Sequence, residues 1–488
     1  MTTTLISSQT TPADLNGRRV LVVGLGESGL AMARWLHAQQ AQIAVVDTRA
    51  LPPGMDVLAV TVPDAEWRSR GTALEGALID ACLAAIDLLV LSPGVAFDSA
   101  LVCAARSRDI PVWSEVDCFN VARRAACPAS RVLAITGANG KTTTTALTAH
   151  LLNAAGIDAV ACGNISPSML DAFMARQASG LWPAVWVLEL SSFQLEATQC
   201  MQSDAAIILN LSEDHLDRHV TMAGYAAAKG RIYEACAQPL WNRADHWADA
   251  YGLDLATAAS IGDDVPTNAR DFGLVDGWIV RGADRIVAMA DLPLLGRHNA
   301  LNVQAALALA APVLLANQTL RDLIPGIRSF RSLPHRVTLI ATRDDVRYVD
   351  DSKATNVGAT LAAIDGLFDP AQPQKKLALL LGGEGKGQDF APLSQALERA
   401  GRAVALIGKD AGAIAAILPA SLPVQRFADL STATRWLADQ AQPGDTVLLS
   451  PACASLDMFR NYAERAQVFI DAVQTLNSCA PMKNGAAT

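Results

Sequence analysis

Short runs of apolar residues recur along the chain, and many of them lead into a polar or glycine-containing turn and then an Ala- and Leu-rich stretch. A strand that is buried on both faces gives such an uninterrupted run, and alternation of these strands with helices is typical of parallel sheets. Runs of this kind occupy residues 18–24, 43–47, 87–92, 132–135, 160–165, 186–189, 205–210, 346–349, 376–381, 404–407 and 446–449. The pattern therefore predicts an α/β protein.

Two weak points in this pattern divide the chain into three predicted domains. The periodicity fades between residues 112 and 129, and we place a boundary near residue 117. The basic connection from Ser329 to Arg336, which contains Pro334, is a candidate hinge. The predicted domains are 1–117, 118–332 and 333–488, in line with about 150 residues per domain. Residues 241–290 alternate only weakly, and we assign no chemistry to them.

The most informative stretch is RVLAITGANGKTTTT, residues 131–145. It predicts a buried strand, a glycine-bounded turn and a helix. Gly137 and Gly140 let the backbone approach a phosphate chain, and the N–H groups of the turn and of the helix N-terminus favour negative charge there. Lys141 can reach the β- and γ-phosphates, and the Thr142 hydroxyl is placed to bind Mg²⁺. The stretch predicts a nucleoside triphosphate site.

A second glycine-rich turn, GLGESG at residues 24–29, follows a predicted strand near the N-terminus and precedes a predicted helix. The next strand ends in Asp47, and an acid at that distance is suited to bind a ribose hydroxyl. We favour nucleotide binding over a purely structural turn. A third predicted strand runs into Gly94, in another loop at the edge where open parallel sheets bind ligands.

Several polar residues follow strands of the central domain. Glu189 ends an apolar strand, which is where an acid that directs Mg²⁺ belongs downstream of a phosphate loop. His215 comes after a strand and lies among acids, so we favour a metal role. Lys229 lies in a helical stretch, and by itself it would be interpreted as a solvated surface lysine. Asn299 opens an Ala- and Leu-rich helix, and it could either cap that helix or bind a base.

Three polar loops also follow three predicted strands of the third domain. They are DDSKATN at residues 350–356, GGEGKGQDF at residues 382–390 and SPACASLDMFRNY at residues 450–462. Loops at the carboxyl ends of parallel strands meet at one edge of the sheet, so together they predict a ligand-binding face.

Composition limits the partners and the compartment. The net charge of −9 and the pI near 5.3 argue against nucleic acid or an anionic membrane as a partner. The N-terminus lacks the basic-then-apolar pattern of a signal peptide, and the longest apolar stretch is too short to span a bilayer. Nine cysteines without C-x-x-C spacing indicate reduced thiols. We therefore expect a cytoplasmic protein, and we expect it to act as a monomer.

Together these motifs resemble those of the Mur ligases of bacterial peptidoglycan synthesis, and in particular of the branch that adds D-glutamate. TGANGKT at residues 136–142 is similar to the ATP loop that Mur ligases share with folylpolyglutamate synthetases. ELSSFQLE at 189–196, DSKATN at 351–356 and SPACASLD at 450–457 look like motifs of the D-glutamate branch. The D-N-P-R type signature of relatives that add diaminopimelate or lysine is not found. Glu384 is a departure, since the family often has Asp there.

The resemblance implies three α/β domains. They are an N-terminal Rossmann-like domain that binds the UDP substrate, a central P-loop-type ATPase domain with a mostly parallel sheet, and a C-terminal Rossmann-like domain that binds the amino acid. It also implies a reaction in which ATP, UDP-N-acetylmuramoyl-L-alanine and D-glutamate give the amide, ADP and phosphate through an acyl phosphate, with Mg²⁺ as cofactor. The alternative is another Mur ligase that adds a different amino acid.

The resemblance assigns a role to each motif residue. ATP would be bound by Gly137, Asn139, Gly140, Lys141, Thr142, Thr143, Asn299, Arg336 and Asp351. The UDP substrate would be bound by Leu25, Glu27, Ser28, Asp47, Thr48, Arg49, Gly94 and Asn164. D-Glutamate would be bound by Lys353, Thr355, Lys386, Ser455, Leu456 and Tyr462. The metal would be bound by Thr142, Glu189, His215 and Lys229, and the catalytic residues would be Lys141, His215 and Lys229.

The implied metal role of Lys229 conflicts with its charge, because a dication repels an ammonium group. Addition of CO₂ to the neutral amine gives an anionic oxygen donor, so we predict that Lys229 is carbamylated. The base that deprotonates the incoming amine is not assigned, since His215 could accept that proton only if it is not bound to metal.

Two other functions explain less of the sequence. A nicotinamide dehydrogenase would give Lys141 and Glu189 no role. A nucleoside-triphosphate-driven switch would not explain the first or third domain.

Overall fold

The computed structural model of the chain describes residues 12–199, 201–294, 296–331 and 333–476. The N-terminal stretch in which we looked for a signal peptide, residue 332 in the predicted hinge and the last residues of the third predicted domain lie outside the described residues. None of the helices in the described ranges combines the length and the apolar character needed to cross a membrane.

The first sheet has five parallel strands in the order β3-β2-β1-β4-β5. Its strands are β1 Arg19–Val23, β2 Gln42–Asp47, β3 Glu66–Arg70, β4 Leu88–Leu91 and β5 Val112–Ser114. The helices of this part are α1 Glu27–Ala38, α2 Met55–Thr61, α3 Ala77–Leu83, α4 Ala100–Ser107 and α5 Glu115–Ala126. This is the strand order of a Rossmann-like half, and it leaves a ligand crevice where the winding reverses between β1 and β4. The predicted fold of the N-terminal part is confirmed.

The second sheet has six parallel strands in the order β11-β10-β9-β6-β8-β7. Its strands are β6 Arg131–Thr136, β7 Ala159–Gly163, β8 Val185–Glu189, β9 Ala205–Ile208, β10 Pro239–Asn242 and β11 Ala259–Ile261. A small antiparallel sheet follows, with β12 Phe272–Val275, β13 Trp278–Arg281 and β14 Asp284–Ala288. The helices are α6 Lys141–Ala154, α7 Met169–Ser179, α8 Ser192–Ala197, α9 Leu216–His219, α10 Met222–Gly230, α11 Arg297–Ala310 and α12 Ile324–Ser329. The mostly parallel central sheet is therefore confirmed.

The third sheet has six strands in the order β15-β16-β20-β17-β18-β19, and only β15 runs antiparallel to its neighbour. Its strands are β15 Thr338–Arg343, β16 Val346–Asp350, β17 Leu377–Gly382, β18 Gly401–Ile407, β19 Val424–Arg426 and β20 Thr446–Leu449. The helices are α13 Val357–Leu367, α14 Pro392–Ala400, α15 Ala411–Ile417, α16 Leu430–Gln440 and α17 Tyr462–Thr475. The three loops predicted to form a ligand-binding face follow β16, β17 and β20, which are neighbours in this sheet.

The chain folds into two compact units. The first holds the described residues up to Leu211 together with 223–290 and 302–328, and the second holds 212–222, 291–301 and the described residues from Ser329 onward. The first unit contains the first two large sheets and the small sheet, and the second contains the third large sheet. The boundaries at 117 and 332 stay predictions. Residue 117 lies inside α5, in a stretch where the sequence pattern predicts no element.

Candidate functional site

The turn between β6 and α6 has the geometry predicted for a phosphate loop. Gly140 has φ +85° and directly precedes the first residue of α6. A Cβ atom at Gly140 would lie 2.5 Å from Asn302 Oδ1, so a larger residue requires a shift. The Lys141 ammonium donates hydrogen bonds of 2.8 Å to the carbonyl oxygens of Gly137 and Ala138. A cation and the N-terminus of a 14-residue helix thus adjoin one glycine-bounded turn, which suits an anionic phosphate chain.

Two asparagines that the sequence did not single out support this loop. Asn210 Oδ1 accepts a hydrogen bond from the Asn139 N–H at 2.9 Å, and the Asn210 amide donates to the Asn139 carbonyl at 3.0 Å. Asn302 Oδ1 accepts from the Thr144 hydroxyl at 3.2 Å. Asn210 follows a buried strand, and that position was the only signal in the sequence. Asn302 lies 158 residues beyond Thr144, so no local pattern could have indicated this contact.

Lys229 lies beside the phosphate loop and is only 1% exposed. Its ammonium donates to the Gly137 carbonyl at 2.9 Å and to the Thr136 hydroxyl at 3.2 Å. It also lies 4.7 Å from the ring centroid of Tyr225. The interpretation of this residue as a solvated surface lysine is therefore wrong. Burial of a lysine requires partners, and here those partners belong to the nucleotide loop.

Glu189 ends β8, the strand that pairs with β6, and its side chain is buried. Its Oε1 accepts a hydrogen bond of 2.9 Å from the Asn164 amide, whereas its Oε2 has no hydrogen-bond partner among the described residues. A buried carboxylate oxygen without a donor is costly, and a hard cation such as Mg²⁺ would satisfy it. Glu189 therefore fits the predicted metal site.

The other predicted metal ligand, His215, belongs to the second unit. It has φ +55°, its N–H donates to Asp214 Oδ1 at 3.0 Å, and its Nε2 lies 3.6 Å from Asp214 Oδ2. Within the described ranges, no cluster of three or more His, Cys, Asp or Glu side chains has metal-binding geometry. The predicted site contains only two residues of these types, so the prediction also requires oxygen ligands from Thr142 and from a modified Lys229.

A cavity of about 530 Å³ opens at the carboxyl ends of β1, β2 and β4 in the first sheet. Its lining includes six of the residues predicted to bind the UDP substrate, namely Glu27, Ser28, Asp47, Thr48, Arg49 and Gly94. Leu25 and Asn164 are not among the lining residues. The Leu25 side chain is fully buried, and the backbone N–H of this residue donates a hydrogen bond to Asp47.

Asp47 and Arg49 form an ion pair in the lining of this cavity. The Arg49 guanidinium contacts both Asp47 oxygens, at 2.6 Å and 2.9 Å, and Asp47 also accepts from the Leu25 N–H at 2.7 Å. Burial alone would raise the pKa of Asp47, but the hydrogen bonds from Arg49 and Leu25 outweigh it and lower that pKa. Asp47 is therefore ionised and orients Arg49, whose side chain is half exposed. A guanidinium beside a glycine turn is suited to bind a diphosphate.

The same glycine turn is tightly packed and joined to the second sheet. A Cβ atom at Gly29 would lie 1.9 Å from the Gly24 carbonyl oxygen, so the close approach of α1 to β1 requires glycine. The Ser166 hydroxyl donates to Glu27 Oε1 at 2.9 Å. Ser166 belongs to the loop that carries Asn164, so this loop contacts the wall of the cavity even though Asn164 does not line it.

The loops of the third sheet bring several predicted D-glutamate residues together. The Lys353 ammonium donates to the Tyr462 hydroxyl at 3.0 Å and lies 4.1 Å from the centroid of its ring. Lys386, with φ +53°, lies 3.7 Å from Asp214 Oδ1. Thr355 is partly buried and Ser455 is buried, whereas Leu456 is 68% exposed. Two cations and two hydroxyls therefore lie on adjacent loops, which suits a dicarboxylate ligand.

The remaining predicted ATP residues lie in the second unit. Asp351 is buried and accepts a hydrogen bond of 2.8 Å from the Ser450 hydroxyl. Burial raises the pKa of Asp351 to about 7, although the Ser450 hydrogen bond and the charge of Arg336 oppose that rise. An N-cap residue directly precedes the first residue of its helix. Asn299 is the third residue of α11, so its interpretation as an N-cap is wrong.

Comparison with known sequences gives three family matches that follow one another along the chain. The Mur ligase MurD-like N-terminal domain matches residues 18–114. The Mur ligase middle domain matches residues 135–310. The domain described as Mur ligase, glutamate ligase domain matches residues 335–453.

Curated relatives are similar over nearly the whole chain. A UDP-N-acetylmuramoylalanine--D-glutamate ligase from Dechloromonas aromatica is 52% identical over 467 residues, which cover 95% of this chain and 100% of that protein. The enzyme of the same name from Aromatoleum aromaticum is 48% identical, with 95% and 98% covered.

Solved structures of Mur ligases share the fold. MurF from Acinetobacter baumannii has a TM-score of 0.58 at 15% identity, covering 95% of this chain and 93% of that chain. UDP-N-acetylmuramate-alanine ligase MurC from Thermotoga maritima has a TM-score of 0.57 at 17% identity, with 94% and 99% covered.

Proposed function

The chain belongs to the Mur ligase family, and we propose that it joins D-glutamate to UDP-N-acetylmuramoyl-L-alanine in an ATP-dependent step of peptidoglycan precursor synthesis. The observation that carries this proposal is the 52% identity to a relative of that name along its whole length. Lys353 and Lys386, on two loops of the third sheet, support the same choice of amino acid. The alternative is a Mur ligase that adds another amino acid.

The chemical task is to make a carboxylate reactive towards an amine. A carboxylate resists attack because its oxygen leaves poorly, and transfer of the ATP γ-phosphoryl group to it gives an acyl phosphate whose phosphate leaves readily. Both reacting groups are anionic, so their approach needs positive charge. In this chain Lys141, the backbone N–H groups of the loop and the N-terminus of α6 supply that charge.

The phosphate loop residues would hold ATP in defined roles. Lys141 would exchange its contacts with the loop carbonyls for the phosphate oxygens, and Gly137, Asn139, Gly140 and Thr143 would shape the turn around them. Asn299, Arg336 and Asp351 would complete the nucleotide site from the second unit. Thr142, Glu189, His215 and a carbamylated Lys229 would hold Mg²⁺, which when bound neutralises phosphate charge.

The cavity of the first sheet would hold the UDP part of the substrate. Arg49, Thr48 and the loop from Leu25 to Ser28 would bind the diphosphate, and Asp47 would keep Arg49 oriented towards it. Gly94 lines the same cavity. Asn164 would contact the muramoyl part, because its loop joins this wall to the ATP-binding sheet.

The loops of the third sheet would hold D-glutamate. Lys353 and Lys386 would pair with its two carboxylates, and Ser455 and Thr355 would donate hydrogen bonds to them. Tyr462 would orient Lys353 through their hydrogen bond, and the exposed Leu456 would cover the ligand. The base for the amine proton stays unassigned.

We also propose that the protein acts as a monomer in the cytoplasm. We propose neither nucleic acid nor membrane as a partner, because the net charge of −9 disfavours binding to these anionic surfaces.

Phosphate release from ATP tests the proposal. With UDP-N-acetylmuramoyl-L-alanine present, D-glutamate should sustain turnover, and D-glutamine and L-alanine should be slower by about 10²-fold or more, because they leave a site cation unpaired. Diaminopimelate and L-lysine test the alternative Mur ligases in the same assay. Equal turnover with D-glutamine, or preference for another amino acid of the panel, would contradict the assignment of D-glutamate.

A further inference from the structure

The side chain of Gln388 connects three separate loops of the third sheet. Its amide Nε2 donates hydrogen bonds to the carbonyl oxygens of Gly385 at 3.0 Å and Ala452 at 2.8 Å. Its Oε1 accepts a hydrogen bond of 2.7 Å from the Val357 N–H. Both amide hydrogens and the amide oxygen are therefore used. The orientation of the amide is fixed, because the flipped group would place its oxygen against two carbonyl oxygens.

Each of these backbone partners lies close in sequence to a residue that we propose binds D-glutamate. Val357 is the first residue of α13 and follows Thr355 by two positions. Gly385 directly precedes Lys386, and Ala452 lies three residues before Ser455. One partly buried side chain thus links the segments after β16, β17 and β20.

The backbone at two of these segments is in an unfavourable conformation. Lys386 has φ +53° and Ala452 has φ +60°. A left-handed conformation is unfavourable for a non-glycine residue, so surrounding contacts must hold it. One Gln388 hydrogen bond goes to the peptide group that joins Gly385 to Lys386, and another goes to the carbonyl of Ala452 itself. The amide therefore acts where the backbone needs support.

Other contacts also hold these loops together, and Asp351 after β16 accepts a hydrogen bond from the Ser450 hydroxyl after β20. Glu384 and Ala454 exchange two backbone hydrogen bonds, of 3.0 Å and 2.9 Å. The bond from the Val357 N–H is the one by which Gln388 brings α13, and with it the segment of Lys353 and Thr355, into the same arrangement. Gln388 thus links the segment of Lys353 directly to the loop of Lys386.

We propose that Gln388 is a positioning residue for D-glutamate, which it never touches, and that it fixes the spacing between Lys353 and Lys386. This inference rests on the proposed function, because it takes D-glutamate as the ligand of these loops. A dicarboxylate of fixed length requires its two cations at a fixed separation. The mechanism therefore predicts an effect on D-glutamate and not on ATP or the UDP substrate.

Steady-state kinetics of two Gln388 variants test this. Gln388→Ala should raise the KM for D-glutamate about tenfold, the loss that corresponds to about 1.4 kcal/mol, with the KM values for ATP and the UDP substrate unchanged. Gln388→Glu keeps the length and the oxygen that faces Val357, but it places a carboxylate oxygen against two carbonyls. It should therefore be worse than Gln388→Ala, whereas a residue that only fills space would tolerate glutamate better.

Gln372→Ala is the matched control, since Gln372 donates to Asp369 at 2.9 Å on an exposed turn of the same unit. It should leave all three KM values unchanged. Gln388→Asn, which is too short to reach all three partners, replaces the alanine variant if that variant does not fold. An unchanged KM for D-glutamate, or an equal rise of all three KM values, would overturn the inference. Absence of D-glutamate turnover in the wild-type enzyme would instead overturn the proposed function.

Discussion

At the scale of single residues, the chemical form of the Lys229 side chain determines whether it can bind a metal ion. As an ammonium it is well satisfied, because it donates to the Gly137 carbonyl and the Thr136 hydroxyl. A metal ligand at this position must instead be an anionic oxygen. A carbamate meets both demands, because CO₂ adds to the neutral amine, one proton is released, and the nitrogen keeps one N–H for a hydrogen bond. The tip of the side chain then presents oxygen.

We predict that Lys229→Ala loses activity without unfolding, and that a small carboxylate such as acetate restores part of it. Removal of one preorganised electrostatic group costs about 10²–10³ in kcat, so a loss of at least that order is expected. Phosphate release, measured with and without added acetate, checks the prediction. Lys375→Ala, at an exposed lysine, is the control and should keep full activity. Full activity of untreated Lys229→Ala would rule out the carbamate and the metal role together.

The sequence indicated some residues of the candidate sites and could not indicate others. Lys141 and Asp47 lie within motifs whose spacing carries the chemistry, and the structure places them in the expected turns. Asn210 and Asn302 contact partners that are remote in the chain, and so does Gln388 through Val357 and Ala452. An asparagine or glutamine has no pattern of its own, so only the tertiary contact shows its role.

At the scale of elements, a buried carboxyl group in the first turn of α5 connects this helix with α1 and α7. Glu115, at the start of α5, is fully buried and accepts a hydrogen bond of 3.1 Å from the Leu170 N–H in the first turn of α7. Its carboxyl also interacts with Ser28 of α1, in the turn that lines the UDP cavity. Burial raises the pKa of Glu115 from 4.5 to about 7, although hydrogen bonds from Ser28, Leu170 and Ser168 oppose the rise.

This raised pKa makes the stability of the protein depend on pH. Between pH 4.5 and about 7 the folded state holds a proton on Glu115 that the unfolded state has lost. The contribution of Glu115 to the free energy of unfolding is therefore complete below pH 4.5, and it declines as the pH rises. Glu115→Gln, which is neutral at every pH, should therefore match the wild type near pH 4.5 and exceed it at pH 8 by up to about 3 kcal/mol. Urea unfolding midpoints at the two pH values measure this. A constant difference between variant and wild type would contradict it.

Strands that form continuous apolar runs were predictable, whereas β3, β19 and α5 were not. β1, β6 and β20 read as continuous apolar runs because both of their faces are buried. β3, with the sequence EWRSR, lies at a sheet edge, and β19 is exposed throughout, so neither carries that signal. α5 buries Glu115, Asp117 and Asn120 together with its apolar residues, and these buried polar side chains hide its helical period.

At the scale of the whole molecule, the alternation of strands and helices predicted three α/β domains, and the strand orders of the three large sheets confirm that architecture. The division into two compact units was not predictable. The chain passes from one unit to the other five times, at the boundaries after residues 211, 222, 290, 301 and 328. No hydrophobic pattern marks these crossings, because short segments such as 212–222 join the second unit through polar contacts, for example that of Asp214 with Lys386.

The two units hold different halves of the proposed chemistry. Lys141 and Glu189 belong to the first unit, and Lys353, Lys386 and His215 belong to the second. The acyl phosphate and the amine must reach near-attack geometry, with the reacting atoms about 3–3.5 Å apart. We therefore expect the second unit to close on the first during turnover. The last crossing, between Arg328 and Ser329, lies at the start of the predicted hinge that ends at Arg336.

Small-angle scattering tests this closure. The radius of gyration should fall when an ATP analogue and UDP-N-acetylmuramoyl-L-alanine are both bound, because the residues that we propose for ATP belong to both units and would have to meet around it. Lys141→Ala, which removes the cation that we propose holds the phosphates, is the control and should show less compaction at the same ligand concentrations. Hydrogen exchange should change on closure within the described residues of the hinge, 329–331 and 333–336. An unchanged radius of gyration with both ligands demonstrably bound would show that the two units work without closing.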